Sequence, residues 1–363
     1  MFQEVFNKHI MDDQLLKQFP GMLKSNSSVR RFTNAADEFN TLRNGVGLRI
    51  VFDSMIIKMT GKDVLDFLHR ISTNALLDLQ PQQKRNTLFL NDKGRFIDRA
   101  TLLALDGEYQ LIGSSDQNKR LLSWINKFII MEDIKTEDLS DKFTLLELIG
   151  PQTNSFLTLM LGNEVDLNDV TKIHTLSVDG FQFLFCLNVE PNNAKVFKII
   201  IEKEKVPDFI DYLFSIRSVF DLTLIGEDAY DAFRIQNGIP ALPQEINDSA
   251  NPYEVDLIGE VNFKKGCYIG QEVIARLDTY EKIQRKMMRV SLSVKMNGKN
   301  AVINSDGMIH AGIISSISNP ELFNEQIGLA IVNKKALETG KQFHVLSGDK
   351  KIPVVISFLD DHK

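Results

Sequence analysis

Apolar residues recur along this chain with two spacings, near two and near 3.6, and the order of those stretches predicts its elements. Val51 to Met59 alternates as a strand does, and Thr60, with Asp63 three residues on, is placed to cap a helix. Val64, Leu65, Leu68 and Ile71 then follow at helical spacing, with Phe67 beside them. Residues 86–90 and 98–105 have strand patterns around the turn Asn91-Asp92-Lys93-Gly94, and Asp106-Gly107 joins the second of them to a strand from Tyr109 to Gly113. An amphipathic helix is predicted from Leu121 to Ile130.

Gly150-Pro151 interrupts the chain, and the alternation resumes as helix 152–161, strands 181–189 and 196–202, and helix 207–217. Pro207 suits a first helical turn, where a missing N–H costs nothing. This second stretch loosely repeats the first, which predicts two related α/β halves with antiparallel sheets. A helix from Glu227 to Gln236 ends at Asn237-Gly238, with Pro240 beyond. An irregular stretch from Pro243 to Phe263 follows, and loops of that length are often functional. Met288, Val290, Leu292 and Val294 alternate with polar residues and open a Gly-punctuated region, 286–363, patterned as a small β-barrel or sandwich. Residues 1–40 are polar and mixed, a helical or irregular lead-in.

At 363 residues the chain is too long for one core. Its 43% hydrophobic and 25% charged content is ordinary for a soluble globular protein. A net charge of −6 argues against general nucleic-acid binding. Two distant cysteines give neither a disulfide framework nor a paired-cysteine metal site. His9, His69, His174 and His310 lack ligand spacing, so no permanent metal is expected. No apolar run approaches the ~20 residues of a membrane-spanning helix, and the first residues have no signal-peptide core. A cytoplasmic location is the default expectation.

The chemistry concentrates in Lys265-Gly266-Cys267-Tyr268-Ile269-Gly270-Gln271-Glu272. Cys186 lies in an apolar strand pattern and reads as an ordinary buried cysteine. Cys267 instead follows two lysines, Lys264 and Lys265, and is flanked by glycines two strides of the chain can bend around. Nearby ammonium groups favour a thiolate, so Cys267 is the candidate reactive thiol.

That octapeptide, with Phe263-Lys264 before it and Ala275-Arg276 and Arg285 after it, resembles the signature of the YgfZ/GcvT-like family, in its YgfZ branch. These are folate-binding proteins related to the aminomethyltransferase (T-protein) of glycine cleavage. Weaker resemblance runs from about residue 43: Gly61 to Leu68, Ser72-Thr73-Asn74, Asn91 to Asp98, Phe233 to Pro240, Gly312 to Ser316 and Ile327 to Ala330 are similar to family segments. The resemblance implies an α+β fold, a GcvT-like three-domain ring of two α/β domains with antiparallel sheets plus a C-terminal β-barrel. Its divisions would be an extension 1–40, a folate-binding domain 41–150 with 225–284, a second α/β domain 151–224 and a barrel 285–363.

It further implies tetrahydrofolate, or a one-carbon derivative, as cofactor, and iron–sulfur assembly or client proteins as partners. The role implied is assembly or repair of four-iron-cluster proteins. A carboxylate can accept the paired donors of a pterin, and Arg or Lys can meet the carboxylates of its glutamate tail. The loop at 243–263 supplies Glu245, Asp248 and Glu254, with Tyr253 beside the last. Glu254 matches the T-protein's Pro-x-Glu segment and is the candidate pterin acceptor; Arg276 and Arg285 are candidates for the tail.

Asp98 either faces the pterin or pairs with Arg95 or Arg99, which stand where the transferases have Gly and Asp. Two rival functions stay open. One is a folate-dependent aminomethyl- or one-carbon transferase relying on Asp98; the other is a folate-independent interaction scaffold in which the octapeptide is only a turn.

Overall fold

A computed structural model of the chain describes residues 22–25, 28–52, 54–114, 119–163, 165–279, 283–296, 301–305, 308–338, 342–347 and 350–359. The chain forms two compact units. One comprises residues up to 64, 78–85 and 101–230; the other comprises 65–77, 86–100 and 231 onward.

The first unit is built on a six-stranded sheet in the order Ile173–Val178, Phe181–Val189, Lys195–Glu202, Phe143–Ile149, Val46–Val51, Leu222–Ile225. One face is aromatic and aliphatic: Phe183, Phe185, Phe197 and Ile199 alternate inward and pack with Phe156 and Leu157 of helix Thr153–Leu161 and Phe209, Ile210 and Leu213 of helix Val206–Ile216. Burying one such side chain stabilises by roughly 1.5–3 kcal/mol, which is why apolar residues two apart on strands and three or four apart on helices dictate this layer. Within the same unit Glu108–Ile112, Ile56–Thr60 and Lys135–Asp138 pair antiparallel, with residues 101–105 beyond Glu108–Ile112.

The second unit holds a closed barrel in the order Arg285–Leu292, Gln326–Asn333, Met308–Ile317, Val302–Ser305, Phe343–Ser347, Lys350–Ser357. Val290, Leu292, Ile303, Ile314, Ala330, Val332, Val345 and Val354 fill its interior. Closure removes the unpaired edges that short strands otherwise expose. A neighbouring core joins Leu88, Leu90 and Phe96 to Ile235, Ile246, Val255, Tyr268 and Ile274. The irregular stretch 243–263 lies over this core and contains only the short 3-10 turn Ile258–Glu260.

Several expectations need correction. Val51 to Met59 is not one strand: Val46–Val51 and Ile56–Thr60 are separate, with a Ser54 N–H to Val51 carbonyl contact of 3.4 Å between them. Thr60 ends a strand instead of capping a helix; the helix is Val64–Ile71, and Gly61, at φ +126, makes the turn. Only Gly fits there, because a Cβ would sit 1.8 Å from the Asp133 carbonyl oxygen. The described part of 1–40 holds a hairpin, Leu23–Ser25 with Ser28–Arg31, and the start of helix Ala35–Asn44. Asn34 caps that helix, accepting from the Ala36 N–H at 2.8 Å. Finally, one pair in the first sheet is parallel, Leu222–Ile225 against Val46–Val51.

Candidate functional site

Two short turns and one helix of the second unit build the site. In the first turn the Asn91 side chain accepts from the N–H groups of Lys93 (2.9 Å) and Arg95 (3.0 Å), while Gly94 takes φ +65. An Asx turn of this kind fixes the backbone and leaves the Lys93 and Arg95 side chains projecting. In the second turn Asn251 Oδ1 accepts from Tyr253 N–H (3.0 Å) and Glu254 N–H (3.2 Å), and Glu254 Oε2 accepts from Asn251 N–H (3.1 Å). The reciprocal bonds close the loop on itself. The helix is Gln271–Thr279, whose Ile274 is buried and whose Val273, Arg276 and Leu277 share a face at spacings of three and four.

Together these surround a cavity of about 680 Å³ lined by Lys93, Arg95, Asn251, Glu254, Val273, Arg276, Leu277, Ile283 and Gln284. Its size is that of a small-molecule site. Its lining mixes apolar Val273, Leu277 and Ile283 with the donors Lys93, Arg95, Arg276, Asn251 and Gln284.

Glu254 is buried and accepts four hydrogen bonds, three of them on Oε2 and one on Oε1. Oε1 accepts from Arg285 Nε (2.9 Å). Oε2 accepts from Arg285 Nη2 (2.9 Å), Arg95 Nη1 (3.0 Å) and its own Asn251 N–H. Glu254, the expected acceptor of the pterin donors, anchors two guanidinium groups at the cavity. Arg285, expected at the tail of a ligand, is the bidentate half of that anchor and also donates to the Ser249 carbonyl at 2.6 Å. Arg276 lines the cavity, paired at 2.9 Å with Glu272 in an exposed helix-surface contact worth little.

The remaining candidates lie elsewhere in this unit. Tyr253 does not line the cavity; its hydroxyl donates to Asp278 Oδ1 at 2.6 Å, and burial with that carboxylate pushes the phenol well above its usual range. Glu245 is fully buried, accepting from Arg234 Nη1 (3.2 Å) and from Ser315 (2.5 Å) and Ser316 (2.6 Å), a structural ion pair instead of a loop acid. Asp248 is exposed. Asp98 is buried, with Oδ1 accepting the Arg99 N–H at 2.7 Å, while the Arg99 guanidinium forks onto Glu260 and Arg95 turns to Glu254.

The octapeptide forms a pinned loop with an exposed thiol. Cys267 is exposed and Cys186 buried. The Lys265 ammonium donates to the carbonyls of His69 and Ser72 and lies 5.1 Å from the centre of the Tyr268 ring. Burial lowers its pKa to about 8. The Leu76 N–H points at His69 Nδ1 (3.1 Å), so Nε2 carries the proton and donates to the Lys265 carbonyl at 3.0 Å. The lysine expected to serve the thiol is thus tied to backbone oxygens. Gly270, at φ +85, comes against the Asn91–Gly94 turn, joining the loop to the cavity's first wall. Among the described residues no group of His, Cys, Asp and Glu is arranged to hold a metal ion; His9 lies outside them.

Sequence reasoning missed Lys93, Arg95, Asn251 and Gln284 as cavity residues. The signal for the first two was present, since Asn91 followed by Lys93-Gly94-Arg95 is a turn that displays cations.

These sheets, the closed barrel and the cavity place the protein among α+β folds in which sheet domains accompany a barrel. The chain belongs to the family described as the GCVT N-terminal domain, which matches residues 12–265. It is 24% identical over 324 residues to an aminomethyltransferase of Staphylococcus carnosus (strain TM300), covering 86% of this chain and 85% of that protein. It is also 24% identical over 333 residues to an Arabidopsis thaliana protein provisionally named a chloroplastic transferase, covering 88% of this chain and 73% of that one.

The crystal structure of glycine cleavage system aminomethyltransferase T from Bartonella henselae matches with a TM-score of 0.75 at 17% identity, covering 89% of this chain and 88% of the other. At that identity the likeness establishes the fold: GcvT-like, with antiparallel sheets and a closed six-stranded C-terminal barrel. No described helix is long and apolar enough to cross a membrane.

Proposed function

We propose that this protein binds a reduced folate, tetrahydrofolate or a one-carbon derivative, and acts as a folate-dependent aminomethyl- or one-carbon transferase. The observation that carries the reading is the cavity in a chain of the GCVT family, whose lining combines apolar Val273, Leu277 and Ile283 with the cationic donors Lys93, Arg95 and Arg276. A folate has matching parts, an aromatic p-aminobenzoyl body and an anionic glutamyl end. Bound tetrahydrofolate supplies the nitrogens that carry the one-carbon unit. Of the chain's own groups, Asp98 is the carboxylate proposed to hold a proton or positive charge near them; its burial and the Arg99 N–H bond fix its orientation.

A second reading has its own observation, the exposed thiol of Cys267 on an anchored loop. It makes the protein a folate-binding accessory factor for assembly or repair of iron–sulfur proteins, with Cys267 meeting a partner. One thiolate cannot hold a cluster alone, since clusters normally take four protein ligands; the thiol would act transiently, in exchange or in bridging.

The test is anaerobic, reducing titration of tetrahydrofolate into wild type, Asp98→Asn and Cys267→Ala, followed by turnover assays with an aminomethyl donor. Turnover abolished in Asp98→Asn but kept in Cys267→Ala supports the transferase. Folate binding without turnover, together with a client iron–sulfur enzyme whose activity depends on Cys267, supports the second reading. Absence of saturable folate binding in all three proteins rejects both.

A further inference from the structure

We infer that the loop tip Ile130-Met131, with Trp124 and Phe128 on the helix before it, docks reversibly on a membrane surface that carries anionic lipids. The inference is independent of the folate reading and concerns the other compact unit.

Helix Arg120–Phe128 buries Leu121 and Ile125, and its half-buried Trp124 and Phe128 rings lie 4.7 Å apart. The helix stops at Ile129, whose backbone is extended. Ile130 and Met131 then stand 82% and 93% exposed, and no other large apolar side chain described is as exposed as Met131. A single exposed apolar residue needs no explanation. Two in succession on a fixed backbone do. Glu132 turns its carboxylate back on the tip, so that Oε2 accepts from the N–H groups of Ile130 (2.9 Å) and Met131 (3.1 Å). The Asp133 N–H donates to Asp63 Oδ2 at 2.8 Å, and the Gly61 turn packs against the Asp133 carbonyl. The fold has thus already ordered the backbone of the tip, which removes part of the entropy cost of docking it.

Area and charge decide what covers it. Two side chains offer far less than the ~800 Å² per partner of a stable protein interface. A bilayer needs no matching pocket, and a protruding apolar pair can enter its acyl boundary directly. Trp124 suits the headgroup level, where an apolar ring with one polar N–H is at home. From Lys127 to Lys135, and in the Gly61-Lys62 turn packed against that stretch, the exposed charges are Lys62, Lys127 and Lys135 against Asp133. The Glu132 and Asp63 carboxylates are turned onto N–H groups of the loop. This is a local positive excess in a chain of net charge −6, and it complements an anionic headgroup layer.

The probes are vesicles of phosphatidylcholine alone and of phosphatidylcholine with phosphatidylserine, mixed with the full chain and sedimented. Trp124 is the chain's one tryptophan, so its emission reports on this region alone. Wild type is expected to co-sediment with the anionic vesicles, with a blue shift of that emission, and to stay in the supernatant of the neutral ones. Replacing both apolar side chains, Ile130→Ser with Met131→Ser, should weaken partitioning at least about tenfold. The urea midpoint should stay unchanged in that double variant, because both side chains are exposed. Lys127→Gln should weaken partitioning about fivefold, and added salt should act in the same sense. Failure of wild type to co-sediment overturns the inference, as does equal partitioning into both kinds of vesicle or binding that the double variant retains in full. Self-association of wild type that the double variant abolishes, without vesicle binding, would assign the tip to a protein contact instead.

Discussion

At the scale of single residues, burial decides which charges are structural and which are available for chemistry. Lys265 is the informative case. Burial pulls its pKa from 10.5 down to about 8. Between those values the unfolded chain holds a proton that the folded chain has released, so stability from this group rises with pH through the window and is lowest below about 8. Burial raises the Tyr268 phenol to about 12; its contribution runs the other way, present below pH 10 and lost above. Urea unfolding of wild type and Lys265→Met between pH 7 and 10 separates the two. The stability difference should shift toward wild type as pH rises, and a constant difference would refute the assignment.

Arg234 gives a second residue-scale prediction. Arg234→Met leaves the buried Glu245 carboxylate without its cation, held by Ser315, Ser316 and the Ala241 N–H, and should cost about 3–5 kcal/mol in the same assay. Neither ion pair was legible in the sequence. Glu245 looked like one loop acid among three, because its partners arrive from a helix and from the barrel. Arg95 was noted as a departure from the transferase pattern, but its bond to Glu254 spans 159 positions.

At the scale of elements, two glycines of the octapeptide have different duties, and substitution should separate them. Gly270 takes φ +85, and a Cβ on it would lie 2.5 Å from the Asn91 carbonyl oxygen; Gly266 takes φ +100 with open space around it. Gly266→Ala should therefore cost only about 1 kcal/mol, from backbone strain. Gly270→Ala adds a steric clash and should cost about 3 kcal/mol while loosening the turn that carries Lys93 and Arg95. Denaturant midpoints measure the first quantity and amide exchange across 91–95 the second; equal costs at both sites would argue against the close approach.

Elements with strong local signals were the legible ones. Helix Val206–Ile216 starts with a proline in its first turn, and Gly238 takes φ +63 after helix Glu227–Gln236, as their sequences required. The parallel strand Leu222–Ile225 was not legible, because four residues are too few to display a period and strand direction is settled by pairing. Thr60 failed as a cap because a nearby glycine made the turn first.

At the scale of the whole molecule, family and fold are collective properties of many positions: the family match spans residues 12–265 and so rests on segments spread along the chain, not on the octapeptide, of which it includes only Lys265. The reaction depends on a handful of side chains that sequence spacing does not bring together, which is why the transferase and accessory readings must be separated by function. Binding to the folded chain alone stabilises it by RT ln(1 + [L]/Kd), about 2.7 kcal/mol at a hundredfold excess over Kd. For a chain of this length that corresponds to a midpoint increase of about 3–4 °C. Anaerobic thermal unfolding with saturating tetrahydrofolate should show that increase equally in wild type and Cys267→Ala, because the thiol is exposed on its loop and absent from the cavity lining. The increase should be smaller in Lys93→Met at the same ligand concentration. A shift that disappears in Cys267→Ala but persists in Lys93→Met would move the ligand from the cavity to the octapeptide loop, and with it the chemistry from the folate's carboxylates to the thiol.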